Sequence, residues 1–258
     1  MTAILEAKGV VKNFGAVTAA DNLSVQVAEE EVLGIIGANG AGKTTFVNIV
    51  TGYLKPDAGS IRYDGRDITA LSSRAITRLG IHRSFQIPQI FPEITVFNNL
   101  MVALGIAETG RPGLWRALAT RKRAETAQAI LTRYGIEGYR DQRARVLPQG
   151  ARKLLDIAMA MVGDPRIVLL DEPTSGISAD EKFAVMDRIM SALRDHKVTV
   201  LFVEHDMEVV ERYAKRVLAF YDGRIIADGA PHMVLANPDV RTYVVGPELH
   251  RRAAPSHA

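Results

Sequence analysis

The sequence predicts an α/β fold with a mostly parallel sheet core, an N-terminal antiparallel β region and a helical subdomain. Three observations carry that prediction. The glycine-rich run Gly37-Ala38-Asn39-Gly40-Ala41-Gly42-Lys43-Thr44 lies between an apolar strand-like segment and a helix-like one. From residue 166 to residue 221 strand and helix patterns alternate, as in a parallel sheet covered by helices. Between residues 95 and 162 strand signals vanish and helical periodicity takes over, which reads as an insertion.

In chain order, residues 3 to 36 are β-rich, with turns at Asn13-Phe14-Gly15 and around Asp21-Asn22. The run Glu31-Val32-Leu33-Gly34-Ile35-Ile36 reads as a buried strand. Thr45 to Val50 reads as a helix whose N-terminus favours phosphate. Lys55-Pro56-Asp57-Ala58-Gly59 is a turn, and Ser60-Ile61-Arg62-Tyr63 a short strand ended by Asp64-Gly65. In the insertion, helical spacing is clearest from Ala124 to Tyr134 and from Arg152 to Met161. There follow a strand at 166–171, a helix at 179–194, a strand at 198–203, a helix at 206–214 and a strand at 216–221. Asp222-Gly223 is a hairpin signal leading to 224–228. The expected organisation is one domain over 3–245, with a helical subdomain at about 87–162 inserted in it, and a disordered tail at 246–258.

Bulk properties narrow the function. The chain has 258 residues and is 47% hydrophobic, enough for a sizeable core. A net charge of +3 is too weak to argue for nucleic acid. With no cysteine, disulfides and thiolate chemistry are excluded, which fits a reducing cytosol. The first residues lack the pattern of a secretory signal. No apolar run approaches the ~20 residues of a membrane-spanning helix, so a membrane role would come through a partner. The basic clusters Arg121-Lys122-Arg123 and Arg140 to Arg145 read as solvated helix faces and a loop, interspersed with Glu125 and Asp141.

The glycine-rich run sets the ligand class. Glycines let the backbone curl so that successive N–H groups point at one anion. Lys43 reaches β- and γ-phosphates, and the Thr44 hydroxyl ligates Mg²⁺. Ile167-Val168-Leu169-Leu170 suits a strand buried on both faces and ends in Asp171-Glu172-Pro173. Ligands of open α/β sheets bind at the carboxyl ends of strands, so two acids there read as a metal ligand, Asp171, and a base that polarises the attacking water, Glu172. The plainer reading is a helix cap after a strand. The next strand ends in Glu204-His205-Asp206, where His205 would donate a hydrogen bond to developing charge on the γ-phosphate. Gln86, after Arg83-Ser84-Phe85, closes another strand-like segment, and its amide could reach the metal or the water.

Together these residues resemble the ATP-binding subunit of ABC transporters. The order matches over roughly residues 3 to 245: phosphate loop at 37–45, glutamine loop at Gln86, helical insertion, signature-like segment at 147–151, acidic strand end at 167–172, switch histidine at His205. Within the family the chain is most similar to the first of two ATPases in branched-chain amino acid importers. That similarity rests on the long segment from Leu100 to Arg123, the run Glu204-His205-Asp206-Met207 and the ending Asn237-Pro238-Asp239-Val240.

The resemblance implies a P-loop NTPase (RecA-like) fold, ATP and Mg²⁺ as ligands, and transport-coupled hydrolysis. It implies catalytic roles for Glu172, His205, Lys43 and Gln86. It places nucleotide on Gly37, Asn39, Gly40, Ala41, Gly42, Lys43, Thr44 and Thr45, with Phe14 stacking on adenine, and metal on Thr44, Gln86 and Asp171. Phe14 as a core aromatic is the plain alternative. The loop Ser175-Gly176-Ile177-Ser178 resembles the one that touches the other ATPase, with Ser178 where the family usually has Asp or Asn. Gln86 and Pro88 to Phe91 would meet the membrane subunit. The implied partners are a second ATPase subunit, identical or paralogous, two transmembrane permeases and, indirectly, a solute-binding protein. The implied location is peripheral, at the cytoplasmic face of the inner membrane.

The signature departs from the family. Leu147-Pro148-Gln149-Gly150-Ala151 stands where the pattern is Leu-Ser-Gly-Gly-Gln. Pro148 has neither hydroxyl nor N–H, but proline suits a first helical turn, and Gln149 and Gly150 still offer N–H groups to a nucleotide on the opposite subunit. With a paralogous partner, the nucleotide capped by Pro148 would be the slower one. A soluble ABC-type ATPase would favour tandem cassettes or long coiled coils. A weakly hydrolysing regulatory module is encouraged by Pro148 and opposed by Glu172. A P-loop kinase leaves Gln86, Glu172 and His205 unexplained.

Overall fold

The computed structural model describes residues 3–84, 89–109 and 120–246. Gln86 and Pro88 of the expected glutamine loop, and the tail from residue 247, lie outside the described residues. The strands are β1 Ala3–Phe14, β2 Val17–Ala28, β3 Val32–Gly37, β4 Ala58–Tyr63, β5 Arg66–Asp67, β6 Ile81–Ser84, β7 Ile167–Asp171, β8 Thr199–Val203, β9 Arg216–Tyr221 and β10 Arg224–Gly229. The helices are α1 Lys43–Val50, α2 Ser73–Arg78, α3 Val96–Thr109, α4 Arg121–Tyr134, α5 Gln149–Ala160, α6 Ala179–Asp195, α7 Met207–Tyr213, α8 Pro231–Ala236 and α9 Pro238–Val240. The chain divides into two units, residues 1–79 with 199–258, and residues 80–198.

The first unit holds an antiparallel sheet in the order β2-β1-β4-β5. Leu23, Val25 and Val27 of β2 are buried in the period-2 pattern of a strand with one face in a core, and Leu5 and Ala7 of β1 follow it until the register shifts before buried Val10. The expected turn at Asp21-Asn22 is not there. Both residues lie inside β2, where the register slips between Val10 and Lys12 of β1, and Asn22 takes a left-handed φ of 56°. An asparagine tolerates that conformation, so the polar pair marks a β-bulge rather than a chain reversal. The same unit holds β3 flanked by β8 and β9, both parallel to it, with β10 antiparallel on β9. A Cβ at Gly34 would come within 3.1 Å of the Ala214 side chain, so this glycine lets the end of α7 pack closely on β3.

In the second unit β6 and β7 pair in parallel, Ile81 opposite Ile167 and Ser84 opposite Leu170. The expected helix from Ala124 begins at Arg121, capped by the Thr120 side chain on the Arg123 N–H, and ends at Gly135 in a left-handed conformation. The reading of Arg121-Lys122-Arg123 as solvated holds for Arg121, whose side chain is 94% exposed and pairs with Glu125. It fails for Arg123, whose side chain is 5% exposed and pairs with Glu108 of α3 at 2.6 Å. The long arginine stem lets a basic residue lie in an interface while its head finds a carboxylate. Asn99 is fully buried; its side chain accepts from the Phe91 N–H and donates to the carbonyls of Phe91 and Thr95, fastening the segment before α3. Among the described residues no helix is long and apolar enough to cross a membrane.

Candidate active site

The phosphate loop joins β3 to α1 in the first unit. Gly37, Ala41, Gly42 and Lys43 are buried, while Ala38, Asn39, Gly40 and Thr44 are exposed at its mouth. A Cβ at Gly37 would lie 2.5 Å from the Phe220 carbonyl oxygen, and one at Gly42 only 2.4 Å from that of Ala19. The hairpin turn at Gly223 donates its N–H to the Ala41 carbonyl and closes the loop from behind. Gly40 meets nothing; its φ of 83° is what selects glycine there. Lys43 is 6% exposed, and its Nζ donates to the carbonyls of Gly37, at 2.6 Å, and Ala38, at 2.9 Å. The loop thus wraps around its own ammonium.

Helix α1 begins at Lys43, two residues before its sequence estimate. Its N-cap Gly42 contributes no side-chain cap and its first turn holds no acid. The N–H groups of a helix's first turn point out of its N-terminal end, so the first turn of α1 is disposed to hold an anion. Fixed backbone donors, a buried cation and glycines that exclude side chains fit a phosphate chain.

His205 is in the same unit. β8 and β3 are adjacent parallel strands, Val203 opposite Ile35, so His205 and the loop share one carboxyl edge of the sheet. His205 is exposed, between a buried Glu204 and Asp206, which caps α7 by accepting from the N–H groups of Glu208 and Val209. Phe14, at the end of β1, is 51% exposed with the Lys12 Nζ 5.8 Å from its ring centre. It is not a core aromatic; its ring is available for stacking.

In the second unit the β7 tip carries Asp171 and Glu172. Glu172 has a left-handed φ of 47°. Glu172 opens the turn that follows buried β7, and that φ is uncommon for a residue other than glycine, asparagine or aspartate. The plain cap reading fails, since α6 starts at Ala179 with Ser178 as its N-cap. The Ser178 hydroxyl donates to Glu181 at 3.2 Å.

Sequence reasoning missed what surrounds Asp171. Arg83 of β6 donates to its Oδ2 at 2.6 Å, with side chains 8% and 13% exposed. Lys153 of α5, 1% exposed, donates to its main-chain carbonyl at 3.2 Å. Asp156 of α5 accepts from the Ser84 hydroxyl and from the Gln89 N–H, and burial pushes its carboxyl above the usual range. The one available signal was an acid inside the apolar run Leu154-Leu155-Asp156-Ile157.

The signature-like segment opens α5. Pro148 is its N-cap, one position outside the helix, and supplies no side-chain cap. Gln149 and Gly150 begin the helix, Gly150 buried with space for a Cβ only 3.0 Å from Val185. Among the described residues no group of three or more His, Asp or Glu could hold a metal. Mg²⁺ binds through one or two protein oxygens plus phosphates and water; the exposed Thr44 hydroxyl in the first unit and the Asp171 carboxylate in the second are each a hard oxygen donor by chemistry.

Residues 20–175 match the ABC transporter family model. The chain is 35% identical over 243 residues to the high-affinity branched-chain amino acid transport ATP-binding protein BraF of Pseudomonas aeruginosa, covering 92% of this chain and 95% of that one. It is 34% identical over 251 residues to LivG of Escherichia coli, a protein described in the same words, covering 93% and 97%. Among solved structures, MJ1267, an ATP-binding cassette of an ABC transporter in its ADP conformation, superposes with a TM-score of 0.81 at 31% identity, over 93% of this chain and 97% of that one.

Proposed function

The chain belongs to the ABC transporter ATP-binding family, and on that footing we propose that it is the ATP-hydrolysing subunit of an importer for branched-chain amino acids or related small polar solutes. The single observation that carries the activity is the phosphate loop, in which backbone carbonyls hold Lys43 inside a curl with no room for a side chain at Gly37 or Gly42. The solute is carried by relatives named for branched-chain amino acid transport, which the chain matches over nearly its full length. We assign one ABC ATP-binding domain to residues 3–245, with residues 87–162 as its helical subdomain.

In the reading we favour, the first-turn N–H groups of α1 and Lys43 bind and orient the β- and γ-phosphates of ATP. Phe14 stacks on the adenine. Glu172 holds the attacking water and takes up its proton, and His205 donates a hydrogen bond to the γ-phosphate as charge develops. Thr44, Asp171 and Gln86 are the groups that would hold Mg²⁺, which when bound neutralises phosphate charge and polarises the bond that breaks. Gln149 and Gly150, at the N-terminus of α5, would offer N–H groups to the nucleotide of a second ATPase. The subunit works peripherally with transmembrane permeases, at the cytoplasmic face of the inner membrane, with a solute-binding protein upstream.

Binding of a fluorescent ATP analogue and Mg²⁺-dependent phosphate release test this directly. Glu172→Gln is expected to lower hydrolysis by about 10²–10⁴-fold with nucleotide binding kept, the range for loss of a general base. Lys43→Ala is expected to lose binding itself. A wild-type chain that holds no nucleotide overturns the activity. Uptake of labelled leucine, amides and urea by cells with and without the gene decides the solute.

A further inference from the structure

The interior at the tips of β6 and β7 carries more charge than the reaction uses. Arg83 and Ser84 come from β6, Asp171 from β7, Lys153 and Asp156 from α5, and each is at least mostly buried. Register explains why Arg83 is there: it pairs opposite Leu169, two residues before the strand end, so its long side chain reaches the carboxylate at that end. Lys153 takes the main-chain carbonyl of the same residue, and Asp156 lies in the field of Lys153. Among these described residues the two cations, Arg83 and Lys153, match the carboxylates of Asp156 and Asp171, with Glu172 at the same tip outside that pairing.

A buried Arg–Asp pair can be a simple staple between neighbouring strands. This one engages the carboxylate assigned to the divalent cation, so a guanidinium and a metal would compete for one group. A dication and a unit cation ~5 Å apart repel by an amount equivalent to about tenfold in affinity even with water-like screening. We propose that Arg83 is a resident counter-ion of Asp171, a positioning residue that holds the carboxylate in place and that raises the divalent-cation concentration at which nucleotide is held. The proposal rests on the assignment of Asp171 to Mg²⁺ made above.

The test titrates binding of a fluorescent, non-hydrolysable ATP analogue with buffered free Mg²⁺, and counts bound Mn²⁺ by the loss of its free spectroscopic signal. Neither readout depends on turnover. Arg83→Gln and Arg83→Met are expected to reach half-saturation at about tenfold less metal than wild type. Arg83→Lys, which keeps the charge on a shorter and differently shaped head, is expected to fall between. The uncharged variants should also melt earlier without metal and regain part of that loss when metal and nucleotide are added. Should neither uncharged variant fold, the order of Arg83→Lys against wild type decides: a requirement equal to or above wild type overturns the proposal. So does an unchanged or higher requirement in Arg83→Gln and Arg83→Met. If wild-type nucleotide binding itself ignores divalent cations, the Asp171 assignment fails and takes this inference with it; if wild type depends on them and the variants do not differ, the inference alone fails.

Discussion

In the phosphate loop the working groups belong to the backbone; at the tip of β7 they belong to buried side chains. The loop is one contiguous run whose glycines are demanded by φ or by lack of room, and even its lysine is held by main-chain carbonyls. The β7 tip is assembled from three elements, and its key ion pair joins residues 88 positions apart. The first arrangement tolerates no added atom at Gly37 or Gly42, where the backbone of Phe220 and Ala19 closes in, and the side chains it meets there play little part. The second tolerates changes of shape but depends on every charge finding its opposite. The two regions should therefore fail differently under mutation.

The largest contrast lies within the loop. Gly42→Ala puts a Cβ 2.4 Å from the Ala19 carbonyl oxygen at a φ of 102°, where something must move. It is expected to destabilise by about 2–5 kcal/mol, from strain plus overpacking, and to weaken nucleotide binding by more than about 100-fold. Gly40→Ala meets open space at a φ of 83° and should cost only the conformational strain, about 1–2 kcal/mol. Chemical denaturation and nucleotide titration read both. Equal losses at the two positions would mean that steric closure of the loop is not what matters.

The opposite mode of failure is tested at Asp156. Asp156→Ala strands the Ser84 hydroxyl and the Gln89 N–H, and is expected to cost about 2–4 kcal/mol. Asp156→Asn sharpens this through pH. Burial raises the carboxyl above its ordinary value of 3.8, so the folded state binds its proton more tightly than the unfolded chain does. The favourable contribution of the protonated form is complete below 3.8 and is lost as pH rises through the folded-state value. Asparagine carries no such term. Urea denaturation at rising pH should therefore show wild type losing ground to Asp156→Asn above pH 4 and levelling off once the folded-state value is passed, and a gap constant throughout would contradict the burial argument.

These differences explain which parts could be read in advance. The strand–loop–helix around Lys43 and the alternation after residue 166 were legible because local pattern and local geometry coincide there. The acids at 171 and 172 were legible because they end an apolar run. Arg83, Lys153, Asp156 and Asn99 were not: Asp156 stands in an apolar run, which says that it has a partner but not which one, and the other three sit beside polar neighbours that hide them. Asp21-Asn22 misled for a related reason: the same residue types serve turns and bulges, and only the pairing strand tells them apart.

Phe14 gives a smaller effect that separates binding from stability. Its ring is half exposed, so Phe14→Ala should leave stability within about 0.5 kcal/mol of wild type. Base stacking on an aromatic is worth about 1–3 kcal/mol, so affinity for ATP should fall roughly tenfold while affinity for inorganic triphosphate holds. Equal losses for both ligands would remove Phe14 from the base.

The smallest expected effect asks which of the two modes governs the N-terminus of α5. Pro148 caps that helix without a side-chain hydrogen bond, at a φ of −56° that suits proline. Pro148→Ser would add a cap of about 1 kcal/mol and give back about 0.4–1 kcal/mol of chain entropy that proline withholds from the unfolded state. Net stability should therefore barely move, and a change in turnover would not be a folding effect. If a hydroxyl matters there, the new donor should speed hydrolysis of an assembled pair of ATPases by no more than about tenfold, the lower end for a hydrogen bond to a charged group. If turnover is unmoved, the N–H groups of Gln149 and Gly150 suffice, and the segment works as the phosphate loop does, through its backbone.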